Sequence, residues 1–151
     1  MATPRSFTLD NPAATAALGE RLGRALLPGD TVLLHGDLGA GKTTLARGLI
    51  KSLCDVDEVP SPTFTLMQHY DTNDGHWLVH ADLYRIEEAS ELAELGLDDV
   101  FDNAICLIEW PDRLGSYRPD RRIDLRLTTD GETRIAEIVP AGDWGDGLDN
   151  V

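Results

Sequence analysis

Residues 31–43 decide the fold, and they read Thr31-Val-Leu-Leu-His-Gly-Asp-Leu-Gly-Ala-Gly-Lys-Thr43. The short and mostly apolar run at 31–35 predicts a buried strand. The next eight residues fit the pattern G-x-x-x-x-G-K-S/T in full, and residues 42–53 have the apolar spacing of a helix. A strand, a glycine-rich bend and a helix, in this order, are the context in which that pattern binds phosphate.

Each position of this loop suits a nucleotide. Glycines let backbone N–H groups approach phosphate oxygens that a side chain would keep away. Lys42 supplies a positive charge for the β- and γ-phosphates and is a candidate catalytic residue, while the hydroxyl of Thr43 is a candidate Mg²⁺ ligand. The predicted nucleotide-binding residues of the loop are Asp37, Leu38, Gly39, Ala40, Gly41, Lys42, Thr43 and Thr44.

The rest of the chain predicts an α/β fold around this loop. Asn11 and Pro12 are typical of the start of a helix, and a further helix is expected at 87–95. Further strands are expected at 64–70, 77–81 and 104–108, and a hairpin at 123–127 and 132–139. Strands that alternate with helices indicate a P-loop NTPase-like three-layer fold, with a mostly parallel central sheet and a C-terminal antiparallel hairpin.

The length of 151 residues predicts a single domain, which we place at 1–141. Residues 142–151 are rich in glycine and aspartate, and we expect a mobile acidic tail there with Trp144 as its one docking side chain.

The charge balance limits the class of partner. There are 13 basic and 27 acidic residues, a net charge of −14, so the chain as a whole repels nucleic acid. No apolar run has the length of a membrane span, the first ten residues lack a signal-peptide hydrophobic region, and Cys54 and Cys106 lack metal or redox spacing. We therefore expect a cytoplasmic protein with reduced cysteines, and neither a membrane protein nor a generic nucleic-acid binder.

A phosphate loop also needs an acidic residue at the end of a neighbouring strand. Glu109 follows the clean apolar run 104–108, and Asp82 follows the run 77–81, so both are candidate catalytic residues. Glu109 is the better candidate for metal, although a solvated strand end is an alternative. For Asp82 the alternatives are a helix cap or an ion-pair partner of Arg85.

Three other features carry open alternatives. Residues 61–64 read Ser-Pro-Thr-Phe, and Ser61 and Thr63 could sense a γ-phosphate from a switch loop or belong to an ordinary loop. Trp110 could pack near the nucleotide or in the core. His35 and His80 lie in strand-like runs and are interpreted as core residues.

Four segments taken together resemble the bacterial TsaE (YjeE) family. They are the loop 36–44, the Ser-Pro-Thr-Phe segment 61–64, His80-Ala-Asp-Leu-Tyr-Arg85 and Ile108-Glu-Trp-Pro111, and the resemblance runs over about residues 6–139. It implies a cytoplasmic ATPase that uses ATP and Mg²⁺ and acts with TsaB and TsaD partners. Their joint task is to place threonylcarbamoyl on adenosine 37 of tRNAs that read codons starting with A.

The resemblance also implies roles for individual residues. Thr43 and Glu109 would hold Mg²⁺, Asp82 would help to position metal or water, and residues 61–64 would form the switch. Thr15 in the first helix and Arg134 in the hairpin match positions of nucleotide contact.

Two other functions remain open at this point. One is a small-molecule kinase with the same loop, although residues 84–101 hold a single arginine and a strongly acidic helix rather than a phosphate-closing lid. The other is a nucleotide-dependent binding switch with negligible turnover. In the ATPase interpretation the isolated chain hydrolyses ATP only weakly, and partner proteins raise its activity.

Overall fold

A computed structural model gives the fold and describes residues 4–37, 39–59 and 67–151. Its elements, in chain order, are β1 (Arg5–Leu9), α1 (Pro12–Ala25), β2 (Thr31–His35), α2 (Lys42–Leu53), β3 (Met67–Asp71), β4 (Trp77–Asp82), α3 (Ala89–Glu94), α4 (Leu97–Asn103), β5 (Ile105–Glu109), 3-10 turns (Pro111–Tyr117), β6 (Arg122–Asp130) and β7 (Thr133–Ala141).

The described strands form one sheet of seven, in the order β1-β7-β6-β2-β5-β4-β3. The central pairs β6–β2, β2–β5 and β5–β4 are parallel, and the outer pairs are antiparallel. Only β3 and β7 run against the other five strands. The predicted mostly parallel sheet with a C-terminal antiparallel hairpin is therefore confirmed.

Two apolar cores cover the two faces of the sheet and make three layers. Alternate strand residues point to opposite faces, so Ile105 and Leu107 of β5 pack with α1 and α2, while Cys106 and Ile108 pack with α3, α4 and the 3-10 turns. Strand β5 is buried along its whole length, as its unbroken apolar run predicts for a central parallel strand.

Strand β1 is an element that the sequence analysis did not anticipate. It pairs with β7 over five residues, from Arg5 opposite Ile138 to Leu9 opposite Arg134. Its apolar alternation is carried by two residues, Phe7 and Leu9, which is a weak local signal. The partner strand lies more than 120 residues along the chain, so pairing depends on the finished hairpin.

The C-terminal segment also differs from expectation. The expectation that Trp144 is the one docking side chain of residues 142–151 is wrong, because Leu148 and Val151 are buried with it in the core beside α1 and α2. The Trp144 Nε1–H donates to the carbonyl of Ala141, and the guanidinium of Arg121 lies 3.8 Å from the indole ring centroid. The three apolar side chains, spaced four and three residues apart, bury enough surface to hold the segment although its composition is polar.

Both cysteines are free and buried, as expected. Burial raises the pKa of the Cys106 thiol to about 12, so that thiol stays protonated at neutral pH. In the part of the chain that the structure describes, no helix has the length and apolar character needed to span a membrane.

Helices α1 and α2 pack together unusually closely, and this contact sets the helix that follows the phosphate loop. A Cβ on Gly19 of α1 would lie 2.3 Å from the carbonyl oxygen of Leu45, and a Cβ on Gly48 of α2 would lie 2.3 Å from that of Ala16. Both contacts are with backbone, which cannot rotate away. Glycine at these positions is therefore required by the distance between the helices.

We expect Gly19→Ala to destabilise the protein by about 1–3 kcal/mol, since the overpacking exceeds the gain in helix propensity. Urea unfolding followed by circular dichroism measures the change. Arg24→Ala on the exposed face of α1 is the control and should change the free energy of unfolding by about 0.5 kcal/mol or less. A Gly19→Ala variant as stable as the parent would contradict the close contact.

Candidate nucleotide-binding site

The phosphate loop lies between the end of β2 at His35 and the start of α2 at Lys42. Gly39 and Gly41 have φ angles of 83° and 101°, in the left-handed region that favours glycine. Ala40 N–H donates to the carbonyl of Asp37 and closes the bend. The structure therefore forms a tight turn where the sequence predicts a phosphate cradle.

The N-terminus of α2 differs from that of α1. Helix α1 has the predicted cap, in which the side chain of Asn11 accepts the N–H of Ala14 at 2.8 Å. Helix α2 begins after Gly41 and has no side-chain cap. The first N–H groups of a helix lack partners within it and attract anions. An uncapped start at a glycine turn is an arrangement that suits phosphate.

Lys42 is buried, with 7% of its surface exposed, and it has no carboxylate partner among the described residues. Its Nζ lies 4.5 Å from the centroid of the Trp110 ring, and Trp110 in turn packs against Tyr84 with ring centroids 5.0 Å apart. A cation over an aromatic face gains modest free energy. A buried ammonium held in this way is available to an anionic ligand.

The ring of Trp110 contacts Lys42 of the phosphate loop and also packs against the apolar core beside α3 and α4. Its backbone has φ 57° and ψ 53°, the one positive φ of a non-glycine residue in the described ranges. Such a conformation costs free energy and often occurs at functional sites. It turns the chain from β5 into the 3-10 turns.

The two candidate carboxylates lie side by side. Strands β4 and β5 are parallel, and Asp82 is opposite Glu109 in their register. Asp82 lies four residues after Leu78 and Glu109 two residues after Leu107, so each has the same parity as a leucine that packs beneath α1 and α2. Their side chains therefore share the face of the sheet on which α2 and Thr43 lie.

The surroundings of the two carboxylates differ. Glu109 is buried, with 7% exposure, and its Oε2 lies 2.7 Å from Nε2 of His80. Asp82 is partly exposed, and its Oδ1 accepts the N–H of Tyr84 in the turn after β4. It is not the helix cap considered as an alternative, because α3 begins at Ala89 and its N-cap is Glu88. Asp82 thus caps a turn with one oxygen, while Glu109 is held inside the protein.

His80 is a residue whose place in this site the sequence analysis missed. The interpretation as a core histidine is correct for burial, since 3% of the side chain is exposed. The available signal was its position two residues before Asp82, which puts both side chains on one face of β4. Its contact with Glu109 depends on the β4–β5 register, which the sequence does not state.

A cleft of about 250 Å³ on one side of the loop contains the two residues suggested by family resemblance. Thr15 is buried and lines this cleft with Gly41 and Thr44, and Arg134 lines it from the hairpin. The Nη2 of Arg134 donates to the carbonyl of Gly39 at 3.3 Å. Helix α1, the loop and the hairpin therefore meet beside the phosphate cradle.

A second cleft of about 370 Å³ opens on the other side of the loop. Asp37, Ala40, Lys42 and Trp110 line it, together with His35, which is only partly buried although the sequence predicts a core residue. Asp112, Arg126 and Thr128, which the sequence analysis did not single out, also line this cleft. His35 Nε2 lies 2.9 Å from Oδ1 of Asp124, which binds Arg122 through its other oxygen. Arg122, Asp124, Arg126 and Thr128 share one face of β6, whereas His35 is the last residue of β2 and Asp112 lies in the 3-10 turns.

Three predicted residues, Leu38, Ser61 and Thr63, lie outside the described residues, and with them the switch segment 61–64. Within the described ranges, no three His, Cys, Asp or Glu side chains cluster in a way that could hold a metal ion. A site made from one hydroxyl and one carboxylate fits Mg²⁺, which usually completes its shell with waters and nucleotide phosphates.

Comparison with known proteins identifies the family of this chain. The family model described as "Threonylcarbamoyl adenosine biosynthesis protein TsaE" matches residues 9–136. Two relatives named as tRNA threonylcarbamoyladenosine biosynthesis protein TsaE come from Bacillus subtilis and a Nostoc species. The Bacillus subtilis protein is 40% identical to this chain, and the match covers 81% of this chain and 76% of the relative. The Nostoc protein is 42% identical, and the match covers 87% of this chain and 83% of the relative.

A solved structure is similar over nearly the whole chain. The crystal structure of YdiB from Bacillus subtilis has a TM-score of 0.78 and 30% identity, with 99% of this chain and 93% of that chain covered. The family match extends from the end of β1 into β7 and so includes the phosphate loop, both carboxylates and Arg134. On this evidence the chain belongs to the TsaE family.

Proposed function

We propose that this protein is the ATP-binding and ATP-hydrolysing subunit of tRNA threonylcarbamoyladenosine biosynthesis. The observation that carries the proposal is the buried Lys42, without a carboxylate partner in the described ranges, at the uncapped start of α2. Membership of the TsaE family adds the pathway, because the named relatives are tRNA threonylcarbamoyladenosine biosynthesis proteins. The modification of tRNA is a cytoplasmic process, and we place the protein there.

In the proposed mechanism the phosphate loop holds the β- and γ-phosphates through its backbone N–H groups and the Lys42 ammonium. Thr15, Thr44 and Arg134 line the cleft beside the loop and would contact the rest of the nucleotide. Trp110 would lie near the phosphates, because its ring contacts the Lys42 ammonium that binds them. Ser61 and Thr63 would respond to the γ-phosphate.

Thr43 and Glu109 would hold Mg²⁺, and Asp82 would help to orient metal-bound or attacking water. When bound, Mg²⁺ neutralises negative charge on the phosphate oxygens and fixes their orientation. The burial of Glu109 favours it over Asp82 as the metal residue, because a water-poor site strengthens its attraction for a cation.

We propose further that the chain acts with TsaD- and TsaB-type partners and meets tRNA only through them. The net charge of −14 opposes direct binding to a polyanion. Phosphate-loop proteins commonly gain activity when a partner orders a loop or supplies a charged group. The isolated chain is therefore a weak ATPase.

Lys42→Ala should lower nucleotide affinity or turnover by about 10²-fold or more, since it removes the positive charge at the phosphates. Isothermal calorimetry with ATP and a phosphate-release assay measure the two quantities. Lys51→Ala is a matched control, because Lys51 lies on the same helix with its side chain exposed. Unchanged binding and turnover in folded Lys42→Ala would exclude the phosphate-loop assignment.

Glu109→Gln should retain ATP binding and lose Mg²⁺-dependent hydrolysis, because the amide keeps the size of the side chain and removes its charge. Asp82→Asn should have a smaller effect on metal dependence. Glu137→Gln, on the exposed face of β7, is the control and should behave as the parent. If Asp82→Asn removes the metal dependence while Glu109→Gln does not, the assignment of the two carboxylates is reversed.

The partner dependence is tested by measuring ATP turnover of the purified chain alone and with TsaB- and TsaD-type proteins. We expect turnover to rise when both partners are present, and unmodified tRNA to give no saturable binding to the lone chain at moderate salt. Sub-micromolar tRNA binding by the lone chain would contradict the proposal. Phosphorylation of a small molecule without partners would favour a kinase instead.

A further inference from the structure

His80 is a buried residue of β4, and its ring makes one side-chain hydrogen bond within the described part of the chain, to Glu109 of β5. The Nε2 atom lies 2.7 Å from Oε2 of Glu109, whereas Nδ1 has no hydrogen-bond partner within the described ranges. In a neutral ring the proton must therefore be on Nε2 for this bond to form, with Nε2–H as the donor and the carboxylate as the acceptor.

We propose that His80 is the positioning residue for Glu109, holding one carboxylate oxygen so that the other oxygen is the one offered to the metal. The inference rests on the proposed function, since it assigns to His80 an effect on the Mg²⁺ site rather than on the fold. Groups that hydrogen-bond to a metal ligand from behind fix its orientation and raise its affinity for the metal.

The stiffness of the two side chains supports this role. A glutamate has three rotatable side-chain bonds, and Glu109 is the last residue of its strand, so its carboxylate needs an external group to hold one orientation. The His80 ring has two rotatable bonds and is packed inside the protein. The hydrogen bond to a ring that is fixed by packing therefore restricts the orientation of the Glu109 carboxylate.

A purely structural role accounts for the contact less well. Strands β4 and β5 are already paired along five positions, from Leu78 opposite Ile105 to Asp82 opposite Glu109, so their association does not require a side-chain bond. A buried imidazole with an unpaired nitrogen is less favourable than an apolar side chain of similar volume. What the imidazole supplies here, and an apolar side chain cannot, is a hydrogen-bond donor for Glu109.

The test compares variants that differ in the donor at this position. His80→Phe retains an aromatic ring and lacks the donor, while His80→Gln offers an amide N–H at a similar reach. The side chain of His80→Asn is too short for its amide to reach Glu109. This variant replaces His80→Phe if the latter does not fold, and the same loss is expected. His69→Phe, at an exposed position of neighbouring β3, is the matched control.

The readout is nucleotide affinity by calorimetry with and without Mg²⁺, a quantity that does not depend on turnover. We expect His80→Phe to raise, by about 10–100-fold, the Mg²⁺ concentration at which the effect of Mg²⁺ on nucleotide affinity is half-maximal. The nucleotide affinity without Mg²⁺ should be unchanged. His80→Gln should recover most of the loss, and His69→Phe should match the parent. Equal losses with and without Mg²⁺ would show a structural role and overturn the inference.

A double variant asks whether His80 acts through Glu109. If it does, His80→Phe should have no additional effect on Mg²⁺ dependence in a Glu109→Gln background, because the positioned group is already gone. Independent losses that multiply would overturn the inference. An effect of Glu109→Gln with none of His80→Phe overturns this inference alone, whereas a parent protein without any Mg²⁺ dependence overturns the proposed function as well.

Discussion

Strand β2 is hydrogen-bonded on both sides to parallel strands, β5 and β6, and four of its five residues are buried. Parallel neighbours end at the same edge of a sheet, so the phosphate loop after β2 emerges beside the ends of β5 and β6. The loop therefore meets Glu109 on one side and the polar face of β6 on the other. Most of the site's geometry follows from these two parallel pairings of β2.

A second constraint is the close contact between α1 and α2. Gly19 and Gly48 have no side chain, so the two helix backbones come closer together than a methyl group at either position would allow. This brings Thr15 of α1 to the cleft that Gly41 and Thr44 also line. A helix from before β2 thereby contributes to a site whose centre is the loop after β2. Small residues in a core thus have a consequence for the binding site.

The electrostatics of the site oppose those of the whole chain. A net charge of −14 disfavours an anionic ligand at long range, and salt screens this effect beyond about 10 Å. At contact distance the buried Lys42 and the N-terminus of α2 act without such screening. An acidic protein can therefore hold the phosphates of a small nucleotide in a local cradle while it repels an extended polyanion such as tRNA.

The sequence by itself determined the elements whose signals are local. The glycine spacing and the lysine of residues 36–43 predict a phosphate loop because backbone approach to phosphate requires those residue types. The apolar run 104–108 predicts the buried parallel strand β5, which the structure confirms. Only the tertiary structure decided which side chains meet. It places Asp82 opposite Glu109, His80 against Glu109, Trp110 over Lys42, and β1 and the C-terminal segment on the body of the protein. Strand register, and pairing between distant parts of the chain, set these contacts, and neither is written in the local pattern of residues.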